Sequence, residues 1–362
     1  MFLAWRDILF AKGRFALMGL TVALITFLLV MLTGLTGGLG RQNTDLLERL
    51  EADRMVFAPS NPGDKASFTD SSVSQALVDS WQQAGLQAQP LALMTSKIQG
   101  QSASSLTLAA SPAQNPQRPA DIQILEGQDP QDQEVLLPQT LAQEIGVGTG
   151  DRVTILGAEL TVSGLTQDAF YSHTPVGWMT TSTWQALTHQ PAQEASSPVG
   201  SIILASGQAD YQALAQQTGT QALTAQEAFS ALPAYASENA SLRAMQGFLY
   251  LISSLVIVSF LTIWTIQRTQ DIAILRALGA SRGFLFKDAL AQAALVLAAG
   301  SLLGTLAAWA LGSYLQGLLP FQLSALILLG PALGIWILGM LGALGALSRV
   351  TTVDPLLALG GN

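Results

Sequence analysis

The sequence predicts a membrane protein in which four transmembrane α-helices carry a large α+β extracytoplasmic domain inserted between helices 1 and 2. Of its 362 residues, 49% are hydrophobic and only 11% are charged, whereas a soluble globular chain carries roughly 25% charged residues. The uncharged residues collect in three long runs, and most acidic residues lie between the first two of these runs. This composition excludes an ordinary soluble enzyme, and it excludes a disordered chain, which needs low hydrophobicity and high charge.

Residue types that are rare or absent narrow the class further. The chain has no cysteine, which excludes a disulfide scaffold and a thiolate metal site. Its net charge of −8 argues against a general nucleic-acid binder. The sequence contains no G-x-x-x-x-G-K-[ST] motif, and His173 and His189 are not at metal-ligand spacing. We therefore expect no catalytic residues and no site for a free metal ion, and any energy that the protein needs must come from another chain.

The three uncharged runs contain the four predicted spans. A spanning helix needs about 20 apolar residues, so Phe15 to Gly40 and Ala244 to Gln267 are one span each. The run from Ala289 to Ser348 is long enough for two, and we divide it near Gly317 to Gln322, where Pro320 cannot continue a helix interior. The four spans are then 15–40, 244–267, 289–316 and 323–348.

The first 14 residues are predicted to form an amphipathic helix that lies in the membrane interface, with Trp5 at headgroup level. A cleaved signal peptide is the alternative for the apolar run that follows. That run is far longer than a signal-peptide core, and no clear small-x-small cleavage site follows it. We therefore expect an uncleaved anchor.

Basic residues set the expected orientation in the plasma membrane. Eight basic and four acidic residues lie in the short segments beside the spans, whereas Arg41 to Arg243 holds eight basic and twenty acidic residues. Because Lys and Arg are enriched on the cytoplasmic side, the short segments, the tail over 349–362 and both termini are expected inside the cell. The long segment is expected outside it.

The first helix is expected to continue outside the membrane to about residue 53. Leu46, Leu47 and Leu50 form an apolar stripe there, and Asp45 and Arg49 are a favourable i,i+4 pair. Short strand signals and amphipathic helices then alternate over residues 54–235. At about 200 residues this is one α+β domain with its own core.

Glycine pairs at helical spacing occur in three of the spans: Gly34-x-x-x-Gly38, Gly300-x-x-x-Gly304 and Gly330-x-x-x-Gly334. Small residues at this spacing let helix backbones approach closely. We expect tight packing at these pairs and contacts of a dimer, the alternative being that glycine is simply frequent in spans.

Two stretches carry a resemblance to a known family. Gln267 to Leu290, QRTQDIAILRALGASRGFLFKDAL, closely resembles the cytoplasmic loop of FtsX/MacB-type ABC transporter permeases, and Glu134 to Leu165 resembles the core of their extracytoplasmic domain. Arg349 to Leu359 resembles that family's ending. The start, LAWRDILFAKGRFAL, and Phe170 to Trp178, FYSHTPVGW, resemble the DevC/HrtB-like subgroup, which includes a haem exporter permease.

This resemblance implies partners and a coupling element. It implies a permease homodimer among membrane lipids, driven by two copies of a separate ATPase that binds ATP and Mg, with no intrinsic cofactor and no nucleic acid. The loop over 268–288 would hold the coupling helix, with Gly279 as its C-cap and Ser281 starting the next helix. The coupling residues would be Asp271, Ile274, Leu275, Arg276, Leu278, Gly279 and Ala280. A loop that merely anchors on lipid headgroups is the alternative.

The subgroup also implies haem as the cargo, and the chain offers iron ligands where two helices leave the membrane. Carboxylate, Met sulfur and phenolate can each ligate haem iron. The candidate haem-binding residues are Glu48, Glu51 and Arg49 on the first helix and Met245, Phe248 and Tyr250 on the second. Glu48 is expected within roughly 40° of the face that carries Gly34 and Gly37.

Other interpretations stay open at this point. Glu48 is either a ligand of haem iron or simply a solvated charge on the helix. We expect His173, Tyr171 and Trp178 to be structural residues of the domain. The same machinery could export a lipid, peptide, lipoprotein or drug, act as a sensor, or transmit ATPase motion to an extracytoplasmic cell-wall hydrolase.

Overall fold

The computed structural model describes residues 12–59, 61, 63–112, 119–189, 197–232, 235–267, 274, 279–315 and 319–350. It divides into two compact units. The helical unit takes the residues up to Leu39 and those from Ala240 onward, and the inserted domain is Gly40–Asn239. Of the predicted N-terminal amphipathic helix, residues 1–11 lie outside the described part.

The described elements follow one another along the chain as α1 (Lys12–Arg49), β1 (Arg54–Phe57), β2 (Val73–Ser74), α2 (Gln75–Gln83), β3 (Gln87–Gln99), β4 (Ala103–Ser111), β5 (Ile124–Gly127), β6 (Glu134–Pro138), α3 (Gln139–Ile145), β7 (Arg152–Ile155), β8 (Ala158–Thr166), β9 (Phe170–Tyr171), β10 (Thr174–Thr180), α4 (Thr181–Thr188), β11 (Pro198–Gly200), β12 (Ile202–Ser206), α5 (Tyr211–Thr218), β13 (Gln221–Leu223), α6 (Ala225–Ala228), a 3₁₀ turn (Phe229–Ala231), α7 (Tyr235–Gln267), α8 (Arg282–Leu315) and α9 (Ala325–Val350).

The predicted number of spans is confirmed for the described residues, since the four helices α1, α7, α8 and α9 are each long and apolar enough to cross a membrane. The break between the last two spans falls where Pro320 predicted it, in the non-helical segment 319–324. Buried side chains from all four helices form one apolar core. It is built from Phe15, Val22, Leu29, Ile257, Leu261, Trp264, Ala289, Ala293, Val296, Leu297, Ile335 and Ala343.

The inserted domain is α+β, as the sequence predicts. Eleven of its described strands form one mixed sheet with the central order β13-β1-β12-β3-β4-β10-β6-β8-β5, and β11 pairs with β2 in a second, two-stranded sheet. Most neighbours are antiparallel, but β10 runs parallel to β4 and β6 runs parallel to β8. The apolar stripe of α1, formed by Leu46, Leu47 and Leu50, is buried in a core of this domain.

Helix α1 ends at Arg49, four residues before the predicted end. The segment after it forms a bridge with a distant loop: Glu51 N donates to Pro119 O at 3.0 Å, and Asp121 N donates to Arg49 O at 2.9 Å. Because these backbone groups find partners outside the helix, the chain leaves the helical path there.

Strand β3 and helix α4 form against the local preferences of their residues. Strand β3 contains Pro90, which normally argues against a strand interior. Helix α4 is rich in threonine, which favours strands, but the Thr180 side chain caps it by accepting from Thr183 N. Strands β11 and β12 are separated by the single residue Ser201.

Candidate functional site

The outward end of α1 carries a buried carboxylate. The predicted Asp45–Arg49 pair is confirmed, with Arg49 Nε 3.1 Å from Asp45 Oδ1. Arg41 Nε lies 3.5 Å from the same oxygen, and Phe170 N donates to the other carboxylate oxygen at 3.3 Å. Asp45 is therefore buried with its charge compensated by two guanidinium groups and a backbone N–H.

The three candidate haem-binding residues on α1 and beyond have different environments. Glu48 is exposed, and its Oε1 accepts a hydrogen bond from Thr44 Oγ1 at 2.9 Å. Glu51 is exposed just after the helix ends. Arg49 pairs with Asp45 instead of extending toward either glutamate. The two carboxylates are thus accessible, whereas the guanidinium is engaged within the inserted domain.

The three candidates on α7 belong to the helical unit. Met245 is 49% exposed and Phe248 is 66% exposed, so both present apolar surface outward. Tyr250 is half-buried in the core of the helical unit, and its ring packs where a β-carbon at Gly334 would lie 3.1 Å away. Of this group, Met245 and Phe248 are free to contact a bound molecule.

The predicted structural role of the residues in the FYSHTPVGW segment agrees with their packing. Tyr171 and Trp178 are buried in a core of the inserted domain, and burial raises the pKa of the Tyr171 phenol. A phenol held neutral in this way is a poor source of a phenolate ligand. His173 lies at the tip of the β9–β10 hairpin, where its Nε2 is 3.2 Å from Asn43 Nδ2 and 3.1 Å from Glu238 Oε2.

Close packing is confirmed at two of the three glycine pairs, one against the α8–α9 connection and one against a neighbouring helix. A β-carbon at Gly38 would overlap the Pro320 carbonyl, and one at Gly34 would overlap the Phe321 ring. A β-carbon at Gly300 would approach Gly19 O and Val22 Cβ of α1 to 2.8 Å. The face that carries Gly34 and Gly37, near which Glu48 is expected, is therefore covered by Phe321 and Gln322 of the α8–α9 connection of the same chain.

A groove runs between α1 and α8 in the helical unit. Its volume is about 1000 Å³. Apolar side chains and glycines of both helices line it, among them Phe15, Leu20, Phe27, Leu295 and Leu303. The lining offers an apolar surface without charged groups.

Part of the predicted coupling loop is described. Ile274 is helical and 52% exposed. Gly279 has a φ of +96°, as expected for a helix C-cap, and Ala280 follows it. Ser281 Oγ accepts from Phe284 N at 3.3 Å and so starts α8, as predicted. Asp271, Leu275, Arg276 and Leu278 lie outside the described residues.

Both units of the chain match models of known protein families. Residues 15–221 match the MacB-like periplasmic core domain, and residues 244–355 match the FtsX-like permease C-terminal domain. The first match covers most of the inserted domain together with the first span, and the second covers the other three spans.

Curated relatives match over the full length. A protein of Staphylococcus haemolyticus whose name assigns it to hemin transport, the permease HrtB, is 26% identical over 369 residues, covering 100% of this chain and 99% of the relative. A Staphylococcus epidermidis protein of the same name is 23% identical over 368 residues with the same coverage. An uncharacterized ABC transporter permease of Mycobacterium tuberculosis is 25% identical over 370 residues, again with that coverage.

Solved extracytoplasmic domains are similar to a smaller degree. The extracellular domain of YknZ, a noncanonic ABC-type transporter of Gram-positive bacteria, aligns with 48% of this chain and 100% of its own, at 9% identity and a TM-score of 0.36. The periplasmic region of MacB from Actinobacillus actinomycetemcomitans aligns with 49% and 91%, at 13% identity and a TM-score of 0.35.

The described part of the chain has four apolar helices, and an α+β domain is inserted after the first of them. This arrangement defines a membrane protein with one large extracytoplasmic domain. This chain belongs to the FtsX/MacB-type permeases of ABC transporters.

Proposed function

We propose that this chain is the membrane subunit of an ATPase-driven exporter whose cargo is haem. The observation that carries the proposal is the full-length similarity to the hemin transport permeases of two staphylococci. Haem is a flat apolar ring with two carboxylates and an iron that accepts axial ligands. A haem exporter therefore needs accessible apolar surface and accessible iron ligands close to the membrane.

The exposure of the candidate residues supports this cargo. Met245 offers an exposed thioether, and Phe248 offers an exposed aromatic ring, both on α7. Glu48 and Glu51 offer carboxylates at the outward end of α1. Arg49 is paired with Asp45, and the Tyr250 ring packs against Gly334. Both are therefore weaker candidates for haem binding.

The driving force would come from a partner chain. In this proposal the permease is a homodimer with both termini in the cytoplasm, and it binds two ATPase subunits that hold ATP and Mg. The turn at Gly279 and the exposed Ile274 support a contact on the loop before α8. ATP binding would shift this loop and, through it, the spanning helices.

A haemin titration of the purified chain in detergent, followed by Soret absorbance, tests the cargo. Glu48→Ala and Met245→Ala are compared with Glu126→Ala and Leu251→Ala, which change exposed residues of similar size outside the candidate set. We expect a saturable, shifted Soret band that weakens in the first two variants only.

Two other outcomes would change the proposal. A saturable band retained in all four variants would keep haem but remove Glu48 and Met245 as ligands. A featureless, non-saturating spectrum would overturn haem, and export of a lipid, peptide, lipoprotein or drug, or signalling to a cell-wall hydrolase, would take its place.

A further inference from the structure

Three side chains from three separate elements meet on the outward ends of the spanning helices. Asn43 on α1 donates through Nδ2 to Glu238 Oε2 on α7 at 3.1 Å, and His173 Nε2 on the β9–β10 hairpin lies 3.1 Å from the same carboxylate oxygen. Asn43 Nδ2 and His173 Nε2 are 3.2 Å apart. We call Asn43, His173 and Glu238 the polar cluster.

The hairpin is held on α1 by its backbone as well. Ser172 N donates to Asn43 O at 3.2 Å, and His173 N donates to Gln42 O at 3.1 Å. Both hairpin residues have positive φ, +47° for Ser172 and +66° for His173, which is costly for residues other than glycine. The two backbone hydrogen bonds to α1 hold this tight turn in place. The position of His173 is therefore fixed by the backbone of the hairpin.

The polar cluster lies beside the division between the two units. The division falls between Leu39 and Gly40 in α1 and between Asn239 and Ala240 in α7, and both helices are continuous through it. Asn43 and Glu238 are within four residues of these points. The three residues all belong to the inserted domain, and the polar cluster joins the parts of α1 and α7 that lie within it.

The polar cluster has hydrogen-bonding capacity left over. Asn43 is 2% exposed, and its Oδ1 has no hydrogen-bond partner among the described residues. The charged groups around it are Glu238 on α7 and, along α1, Asp45 with Arg41 and Arg49.

We propose that the polar cluster is a latch that ties the start of α7 to α1 and to the inserted domain, so that motion of the spanning helices is transmitted to that domain. Asn43, His173 and Glu238 are positioning residues in this role. The latch itself follows from the contacts, whereas its use in export rests on the proposed function.

Distances between spin labels test the latch without any transport assay. Because the chain has no cysteine, Ala236→Cys at the start of α7 and Gln83→Cys at the end of α2 label two exposed positions of the inserted domain selectively. In the full chain in nanodiscs, we expect a narrow distance distribution that broadens about twofold in His173→Asn and in Glu238→Ala.

Matched controls separate the latch from general destabilisation. His189→Asn changes the other histidine, which also has positive φ (+56°), and Glu159→Ala breaks an exposed ion pair with Arg152. Asparagine is used because it tolerates positive φ. Both controls should keep the narrow distribution. Unchanged distributions in the latch variants, or equal broadening in all four variants, would overturn the proposal.

A transport assay on the chain reconstituted with its ATPase tests the role of the latch in export. We expect the latch variants to keep ATP hydrolysis while the amount of haem exported per ATP falls about tenfold, since coupling between distant sites is commonly of that size. Equal export per ATP in latch and control variants would overturn the transmission role. Absence of haem export from the unmodified complex would overturn the cargo, while the label distances would still decide the latch.

Discussion

Gly38 of α1 and Pro320, in the connection between α8 and α9, approach so closely that a methyl group on Gly38 would overlap the Pro320 carbonyl oxygen. We therefore expect Gly38→Ala to destabilise the helical unit by about 1–3 kcal/mol, the usual range for overpacking. The midpoint of thermal unfolding in detergent should fall. Gly40→Ala is the control, because a β-carbon there meets open space. It should match or exceed the unmodified chain, since alanine favours a helix by up to about 1 kcal/mol. Equal midpoints for the two variants would contradict the close approach.

The buried carboxylate of Asp45 should be required for docking of the β9–β10 hairpin. Asp45→Asn leaves Arg49 Nε and Arg41 Nε facing a neutral amide, and the amide presents one acceptor oxygen where the carboxylate presents two. A loss of about 1–3 kcal/mol is expected for a buried charged hydrogen-bond partner. Hydrogen exchange of the Phe170 and Ser172 amides should accelerate. Asp64→Asn, at an exposed carboxylate that accepts only from Asn61 among the contacts described, should leave this exchange unchanged.

The turn before α8 should depend on glycine at position 279. Its φ of +96° is a conformation that side chains other than glycine adopt at a cost of about 1 kcal/mol or more. In Gly279→Ala we expect faster hydrogen exchange at Phe284 N and Leu285 N, which are capped by Ser281. Gly283→Ala lies within α8 in open space and should slow the same exchange or leave it unchanged. Identical exchange in the two variants would show that the turn tolerates a side chain.

Asp132 should make the inserted domain sensitive to acid. Hydrogen bonds from the Ser182 and Thr180 hydroxyls lower the pKa of its carboxyl below the ordinary value of 3.8. A carboxyl with a lowered pKa stabilises the folded state above its unfolded value, and this contribution is lost as the pH falls through the folded pKa. The unmodified chain should therefore be more stable than Asp132→Asn at about pH 7, and the difference should shrink as the pH falls below about 4. Unfolding midpoints across that range provide the check, and a constant difference would contradict it.

Much of the fold could be predicted from local sequence because the membrane imposes a local constraint. An uncharged run long enough to cross the bilayer must be a helix, since its backbone groups have no other partners there. For this reason the four spans, the break at Pro320 and the turn at Gly279 were all accessible from residue order alone. The apolar stripe of α1 was accessible for a similar reason, because helical periodicity places Leu46, Leu47 and Leu50 on one face.

Strand β3 shows where local rules fail. It contains Pro90, and its residues carry little strand preference, yet it pairs with β4 along most of its length and with β12 and β7 as well. These partners come from distant parts of the chain, and the pairing overrides the local preference. The end of α1 at Arg49 has the same origin, because residues 119–121 compete for its last backbone groups.

The sequence by itself determined the class of this protein, its four spans, the α+β character of the inserted domain and the family to which it belongs. Only the tertiary structure decided that Gly38 packs against Pro320 and that Asn43 and Glu238, 195 residues apart, meet His173. The physical reason is range. Charge runs and helical periodicity act over neighbouring residues, whereas a hydrogen bond between elements depends on how the whole chain folds back on itself, which no local pattern encodes.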